Sequence, residues 1–69
     1  MTEEQLARCK AFLDYFSVDY SGDVVYMTSG GNSVICNPNS QWKDFGGYSI
    51  NSIARAVAEQ LNKKVEYRD

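Results

Sequence analysis

Histidine is absent from this 69-residue chain, which also has only two cysteines and one proline. Without histidine the commonest general base is missing, and neither a Ser–His nor a Cys–His nucleophile can form. Two cysteines alone also fall short of the nitrogen and sulfur ligands of a typical zinc site. We therefore expect a protein that is not an enzyme and that holds no metal and no cofactor.

Long hydrophobic runs and a strong charge of either sign are missing too. No apolar stretch approaches the roughly 18 residues that span a membrane, and the opening MTEEQLARCK carries acids where a signal peptide carries bases. The net charge of −2 argues against nucleic acid, because phosphate binding usually leaves a basic surface. We expect a cytoplasmic protein, of the producing or the host cell, with no membrane partner.

The two cysteines, Cys9 and Cys36, lie far apart and in different predicted elements. A small secreted domain would normally carry more cysteines in a disulfide framework. Both residues fall on predicted apolar faces, where a free thiol packs like a small hydrophobic side chain. We therefore expect two reduced and poorly reactive thiols.

Two segments have the pattern of amphipathic helices. Thr2 and Gln5 form a capping box at the start of the first helix, which is predicted over residues 3–16. Ser49 is the expected N-cap of the second helix, which has the cleaner apolar stripe. This stripe consists of Ile50, Ile53, Ala54, Val57, Ala58 and Leu61.

The pair Gly30-Gly31 lies between two short apolar segments and predicts a β-hairpin. Two glycines suit a type I′ turn, which needs a positive φ at both central residues. In this register Tyr26 and Ile35 share the mixed face of the hairpin. The other face is wholly apolar and consists of Val25, Met27, Val34 and Cys36. A phosphate-binding loop is disfavoured, since neither a lysine nor a helix follows the glycines at the required spacing.

The remaining segments complete a prediction of the fold. The segment NSQWKDFGGYS, residues 39–49, is called the aromatic loop; it has no clear period, and its pattern leaves open a short edge strand over residues 41–45. Val65 and Tyr67 alternate with charged residues, which favours a short last strand. We predict a single α+β domain over residues 1–69, in the order helix, β-hairpin, aromatic loop, helix and short C-terminal strand. Both helices are expected on one face of a small antiparallel sheet.

The aromatic residues Trp42, Phe45 and Tyr48 are the best candidates for a partner-binding site. Tryptophan and tyrosine are enriched at interface hot spots, and loops often carry function. The pattern leaves open whether Trp42 lies in an interface or in the core, because a small domain also needs large rings to close its core. Tyr15, Tyr20 and Tyr26 are secondary candidates, and Tyr26 together with Ile35 would form an exposed apolar patch or a dimer seam.

We interpret the chain as a protein-binding domain, an inhibitor or modulator that occupies a surface of a larger protein. By analogy, it resembles the small acidic proteins that phages and mobile elements encode. One alternative is a homodimeric accessory subunit.

A second alternative is a module that contacts nucleic acid through basic side chains. The residues concerned are Arg55, Lys63, Lys64 and Arg68. The order of the predicted elements is similar to that of a double-stranded RNA-binding domain. The basic helix start that such domains use against phosphates is absent, since YSINSIARAVAEQ offers only Arg55.

Overall fold

The structure, a computed structural model, describes residues 1–32 and 42–68. Within these residues, two α-helices alternate with two strands: helix α1 spans Glu3–Tyr15, strand β1 Val24–Met27, helix α2 Ile50–Gln60 and strand β2 Lys64–Tyr67. Two short 3₁₀ helices, Ser29–Asn32 and Lys43–Phe45, lie between β1 and α2.

The start of α1 confirms the predicted capping box. The Gln5 amide N–H donates to Oγ1 of Thr2 at 3.1 Å, and the Thr2 amide donates to Oε1 of Gln5 at 2.9 Å. These bonds satisfy backbone donors that have no partner inside the helix. Glu3 and Glu4 in the first turn also interact favourably with the positive end of the helix dipole. Local chemistry therefore determines where α1 begins.

Both α-helices end in the same backbone motif, with one residue in the left-handed conformation. Ser17 follows α1 with φ 58°, and Asn62 follows α2 with φ 55°. The Val18 N–H then donates to the Leu13 carbonyl at 2.9 Å, and the corresponding bond after α2 is 2.8 Å long. This is a Schellman motif, which satisfies the last carbonyl groups of a helix and turns the chain away from the helix axis.

Helix α2 is the central element of the fold, because it contacts α1, both strands and the first 3₁₀ helix. Ser49 is its N-cap, as predicted, and Oγ of Ser49 accepts the Ser52 N–H at 3.1 Å. Asn51 is buried as well, and its Nδ2 donates to the Thr28 carbonyl at 2.6 Å. The predicted apolar stripe is confirmed at its centre, where the buried residues are Ile53, Ala54, Val57 and Ala58.

Strands β1 and β2 run parallel, so the predicted antiparallel sheet is wrong. Val25 pairs with Val65, and Met27 pairs with Tyr67, in a two-stranded sheet. The direction follows from the connection, because α2 lies between the two strands and carries the chain back to the start of β1. The short last strand is confirmed, and the overall composition of helices and strands remains α+β.

The predicted type I′ turn at Gly30-Gly31 is also wrong. Both glycines lie in the 3₁₀ helix Ser29–Asn32, and neither has a positive φ. The Gly31 N–H donates to the Thr28 carbonyl at 3.1 Å, as in a single helical turn. The predicted second strand of the hairpin, which would include Val34 and Cys36, lies outside the described residues.

The core lies on the face of the sheet that carries Val25 and Met27. Its buried hydrophobic residues form one cluster: Cys9, Phe12, Leu13, Val25, Met27, Trp42, Phe45, Ile53, Ala54, Val57 and Ala58. Strand β2, by contrast, is exposed along its whole length. Within the described ranges, no helix is both long enough and apolar enough to cross a membrane.

Candidate functional site

The aromatic loop places two of its three rings in the core. Trp42 and Phe45 are each only 8% exposed, and both rings pack on Phe12 of α1, with centroids 5.5 and 5.0 Å away. Tyr48 is instead 55% exposed. Trp42 is therefore a core residue, and Tyr48 is the one ring of the three that presents most of its surface to solvent.

A type II β-turn brings Tyr48 to the surface. In the segment considered for an edge strand, the 3₁₀ helix Lys43–Phe45 is found instead, and residue 41 lies outside the described residues. Gly46 follows with φ −55° and ψ 131°, Gly47 has φ 87°, and the Tyr48 N–H donates to the Phe45 carbonyl at 2.9 Å. These angles and this bond define a type II turn, whose third residue needs a positive φ and is therefore usually glycine.

Arg8 joins α1 to the aromatic loop. Its Nη2 donates to both carboxylate oxygens of Asp44 at 2.9 and 3.0 Å, and its Nε adds a weaker contact at 3.3 Å. The guanidinium also lies over the Trp42 ring, 4.8 Å from the centroid, in a cation–π geometry. The hydrogen bond from Arg8 lowers the pKa of Asp44, so this carboxylate keeps its charge to lower pH than an ordinary aspartate.

A cleft of about 710 Å³ lies between the start of α1, the aromatic loop and α2, and we call it the N-terminal cleft. Its apolar walls come from Cys9, Phe45, Ile53 and Ala56. Its rim carries the polar and charged residues Glu4, Gln5, Arg8, Asp44 and Tyr48. Apolar walls inside a polar rim are the usual anatomy of a surface that receives a side chain of another molecule.

Cys9 lines the cleft without the features of a nucleophile. Burial raises the pKa of its thiol, and the Asp44 carboxylate raises it further, against a smaller lowering by Arg8. The thiol is therefore protonated at neutral pH, whereas the thiolate is the reactive form of cysteine. Cys9 is free and buried, and Cys36 lies outside the described residues.

Tyr26 lies half-buried on the face of β1 that points away from the core. The Arg68 guanidinium is 4.0 Å from the centre of its ring, so a cation–π contact within the chain covers part of this side chain. Ile35 lies outside the described residues. The structure therefore describes the predicted patch of these two residues only at Tyr26.

Two of the four basic residues considered for nucleic-acid contact have partners within the chain. Nζ of Lys63 donates to the Tyr20 carbonyl, and Arg68 stacks on a tyrosine ring as described above. Arg55 on α2 and Lys64 on β2 are exposed. These intramolecular contacts leave fewer cations available to a phosphate backbone than the sequence suggested.

Asp14, near the end of α1, and Asp19, in the segment that follows, each make a contact with a residue close in sequence. The Tyr20 hydroxyl donates to Asp14 at 3.1 Å, and burial together with this bond raises the pKa of Tyr20. Asp19 accepts the Ser21 N–H at 3.1 Å, which lowers the pKa of Asp19. Across residues 1–32 and 42–68, no group of three or more His, Cys, Asp or Glu side chains is arranged to hold a metal ion.

Sequence reasoning missed several residues of this site, among them Arg8. Its partner Asp44 lies 36 positions further along the chain, so no local pattern links the two. The available signal was the segment WKDF, in which an acid lies between two rings that can also receive a cation. Comparison with protein-family models, with curated proteins and with solved structures found no match, so no relative assigns a role to these residues.

Proposed function

We propose that this chain is a non-enzymatic protein-binding domain that inhibits or modulates a larger protein by covering part of its surface. The observation that carries the proposal is Tyr48, which is 55% exposed beside the apolar walls of the N-terminal cleft. A tyrosine combines a large apolar area with a polar hydroxyl and loses little conformational entropy when it is immobilised. Tyrosine is for these reasons a frequent anchor of protein interfaces.

The chemistry of the cleft indicates what the partner presents. Phe45 and Ile53 provide apolar walls for an aliphatic or aromatic side chain. Arg8 and Asp44 neutralise each other on the rim, so Glu4 is the remaining charged side chain of the cleft. We therefore expect the partner surface to carry an apolar side chain next to a lysine or an arginine.

The walls of the cleft are held in place before any partner binds. The contact between Arg8 and Asp44 ties the aromatic loop to α1, and the type II turn sets the backbone of Tyr48. A surface that is ordered in advance loses less conformational entropy on association than a mobile one. This order supports a role in protein recognition.

Charge favours a protein partner over a nucleic acid. The net charge is −2, and Lys63 and Arg68 are engaged within the chain. A protein surface with one apolar anchor does not require the basic footprint that a phosphate backbone does. Binding is also favoured over catalysis, because the chain has no histidine to act as a general base.

The test starts with affinity capture of a partner from a lysate of the producing or host cell, followed by purification of the captured protein. Calorimetry then compares the affinity of the pure partner for the wild type, Tyr48→Ala and Tyr15→Ala. Tyr48→Ala should weaken binding by at least roughly tenfold, as truncation of an interface anchor does. Its melting temperature should stay unchanged, since the ring is exposed. Tyr15 is exposed outside the cleft, so Tyr15→Ala should bind normally.

A second variant tests the cleft independently of tyrosine. Ala56→Arg would place a long charged side chain in the apolar wall and should abolish binding of the same partner. Equal affinities of Tyr48→Ala, Tyr15→Ala and the wild type would contradict the proposal. Capture of RNA or DNA in a salt-sensitive complex, without a protein, would favour the nucleic-acid alternative.

A further inference from the structure

Strand β2 has an outer edge to which no other described strand is paired. The Lys64 N–H donates to the carbonyl of Asp23, the residue before β1, at 3.1 Å, and the Arg68 N–H donates to the Met27 carbonyl of β1 at 2.7 Å. Backbone groups point to alternate sides along a strand. The N–H and C=O groups of Val65 and Tyr67 therefore point to the free edge.

The side chains of Val65 and Tyr67 are exposed although they lie on the core face of the sheet. Their positions follow from their pairing with Val25 and Met27. They are 36% and 52% exposed, whereas both β1 residues are buried. A pair of strands alone is marginally stable, and an open edge is a template for a further strand. Strand β2 thus has the free backbone groups and the uncovered apolar side chains that strand addition requires.

We propose that two copies of this chain associate edge to edge through β2, in an antiparallel pair centred on Val65. A twofold axis at this residue creates one continuous four-stranded sheet in the order β1–β2–β2–β1. Val65 then faces Val65 of the partner subunit as a hydrogen-bonded pair, which is the type of pair that its outward backbone groups require.

Charge complementarity selects this register. With the axis at Val65, Lys64 lies directly opposite Glu66 of the partner subunit, and the symmetry repeats this ion pair on the other side of the axis. An axis at Glu66 would place two carboxylates opposite each other and Lys64 opposite Arg68. An axis at Tyr67 would instead use Arg68, whose guanidinium already stacks on an aromatic ring of its own chain.

Charge reversal tests the pairing directly. Lys64→Glu and Glu66→Lys each place like charges opposite each other at two positions, so each should weaken self-association by roughly tenfold or more. An equal mixture of the two variants should form a heterodimer, because each supplies the charges that the other lacks. The double variant Lys64→Glu/Glu66→Lys should again associate with itself. Sedimentation equilibrium over a concentration series measures all of these species.

Two charge reversals on the exposed face of α2 serve as matched controls. Arg55→Glu changes the net charge as Lys64→Glu does, and Glu59→Lys changes it as Glu66→Lys does; both should leave self-association unchanged. Hydrogen exchange adds a backbone measurement, in which the Val65 amide should become protected only as the concentration rises. A wild type that stays monomeric up to millimolar concentration, or a mixture of single variants that stays monomeric, would overturn the proposal.

Discussion

Asn51 lies so close to Gly31 that a Cβ atom at position 31 would be 2.7 Å from Cγ of the Asn51 side chain. Asn51 is only 2% exposed, and its Nδ2 donates to the Thr28 carbonyl at 2.6 Å. The amide thus holds the chain before the first 3₁₀ helix against α2, and it cannot swing aside without losing this bond. Close approach, and not a positive φ, is the reason for glycine at position 31.

Gly31→Ala should therefore destabilise the fold by about 2 kcal/mol, which combines overpacking with a displaced buried amide. In a domain of this size each kcal/mol lowers Tm by about 4–8 °C, which circular dichroism can follow. Gly30→Ala is the matched control, since a Cβ at position 30 meets nothing within 4 Å. Equal melting temperatures for the two variants would mean that the contact with Asn51 is not what requires glycine.

The helices could be predicted from the sequence because their signals are local. The capping box of Thr2 and Gln5 and the apolar stripe of α2 each lie within a few helical turns. The parallel sheet could not be predicted in this way, because alternation along a strand is the same for either strand direction. The pairing of Val25 with Val65 depends on how α2 packs, which is a tertiary property.

The candidate site was predictable only in part. A loop rich in aromatic residues indicated the region of Tyr48, but composition does not separate a ring that closes the core from one that faces solvent. That separation depends on Phe12, against which Trp42 and Phe45 pack. The contribution of Arg8 depends on a contact between distant segments, for which a single sequence carries no periodic signal.

The contact between Arg8 and Asp44 should make part of the stability depend on acid pH. The hydrogen bond from Arg8 lowers the pKa of Asp44 in the folded state. The contribution of this contact to the free energy of unfolding is therefore complete above the ordinary pKa of an aspartate. The contribution is lost as the pH falls through the lowered pKa. Asp44→Asn lacks it at every pH, so the difference in urea midpoint between this variant and the wild type should shrink in acid.

Asp23→Asn is the control for this pH series, because Asp23 is an exposed aspartate in the bend before β1. At neutral pH the urea midpoint of Asp23→Asn should lie closer to that of the wild type than the urea midpoint of Asp44→Asn does. If the urea midpoints of the wild type and Asp44→Asn differ by the same amount over the whole acid range, a stabilising role for Arg8 is contradicted.

Ser17→Gly should stabilise the fold. Ser17 has φ 58° at the end of α1, a conformation that costs energy for any residue with a Cβ atom. The relief of this cost exceeds the free energy of the extra conformational entropy that glycine loses on folding. We therefore expect the free energy of unfolding to rise by roughly 0.5–1 kcal/mol. Ser17→Ala keeps the Cβ atom and should give no such gain. A lower Tm for Ser17→Gly than for Ser17→Ala would contradict this account of the helix end.

Cys9 should resist thiol reagents in the folded protein. Burial raises the pKa of its thiol, so little thiolate is available at neutral pH, and the sulfur lies in the core cluster. Labelling with a maleimide followed by peptide mapping distinguishes Cys9 from Cys36. The Cys9 peptide should be labelled slowly in native buffer and rapidly in denaturant; rapid labelling in both would show that Cys9 is accessible.

Substitutions of Trp42 test whether this residue stabilises the core or binds a partner. Its ring is 8% exposed and packs edge-on against Phe12, with Arg8 over its face. Trp42→Ala should cost about 3–5 kcal/mol of folding free energy, which is a large share of the stability of a small domain. Trp42→Phe keeps an aromatic ring in the core and should cost much less, so it supplies a folded variant for binding measurements.

Substitutions at Trp42 and Tyr48 should therefore affect different properties: the first lowers thermal stability, and the second lowers affinity for the partner. Trp42→Phe should melt at a lower temperature and bind the purified partner like the wild type, since its ring faces the core. Tyr48→Ala should melt like the wild type and bind weakly, since its ring faces solvent. The reverse result, in which Trp42→Phe is stable but has lost affinity, would place Trp42 in the interface and move the binding surface from the N-terminal cleft to the tryptophan side of the loop.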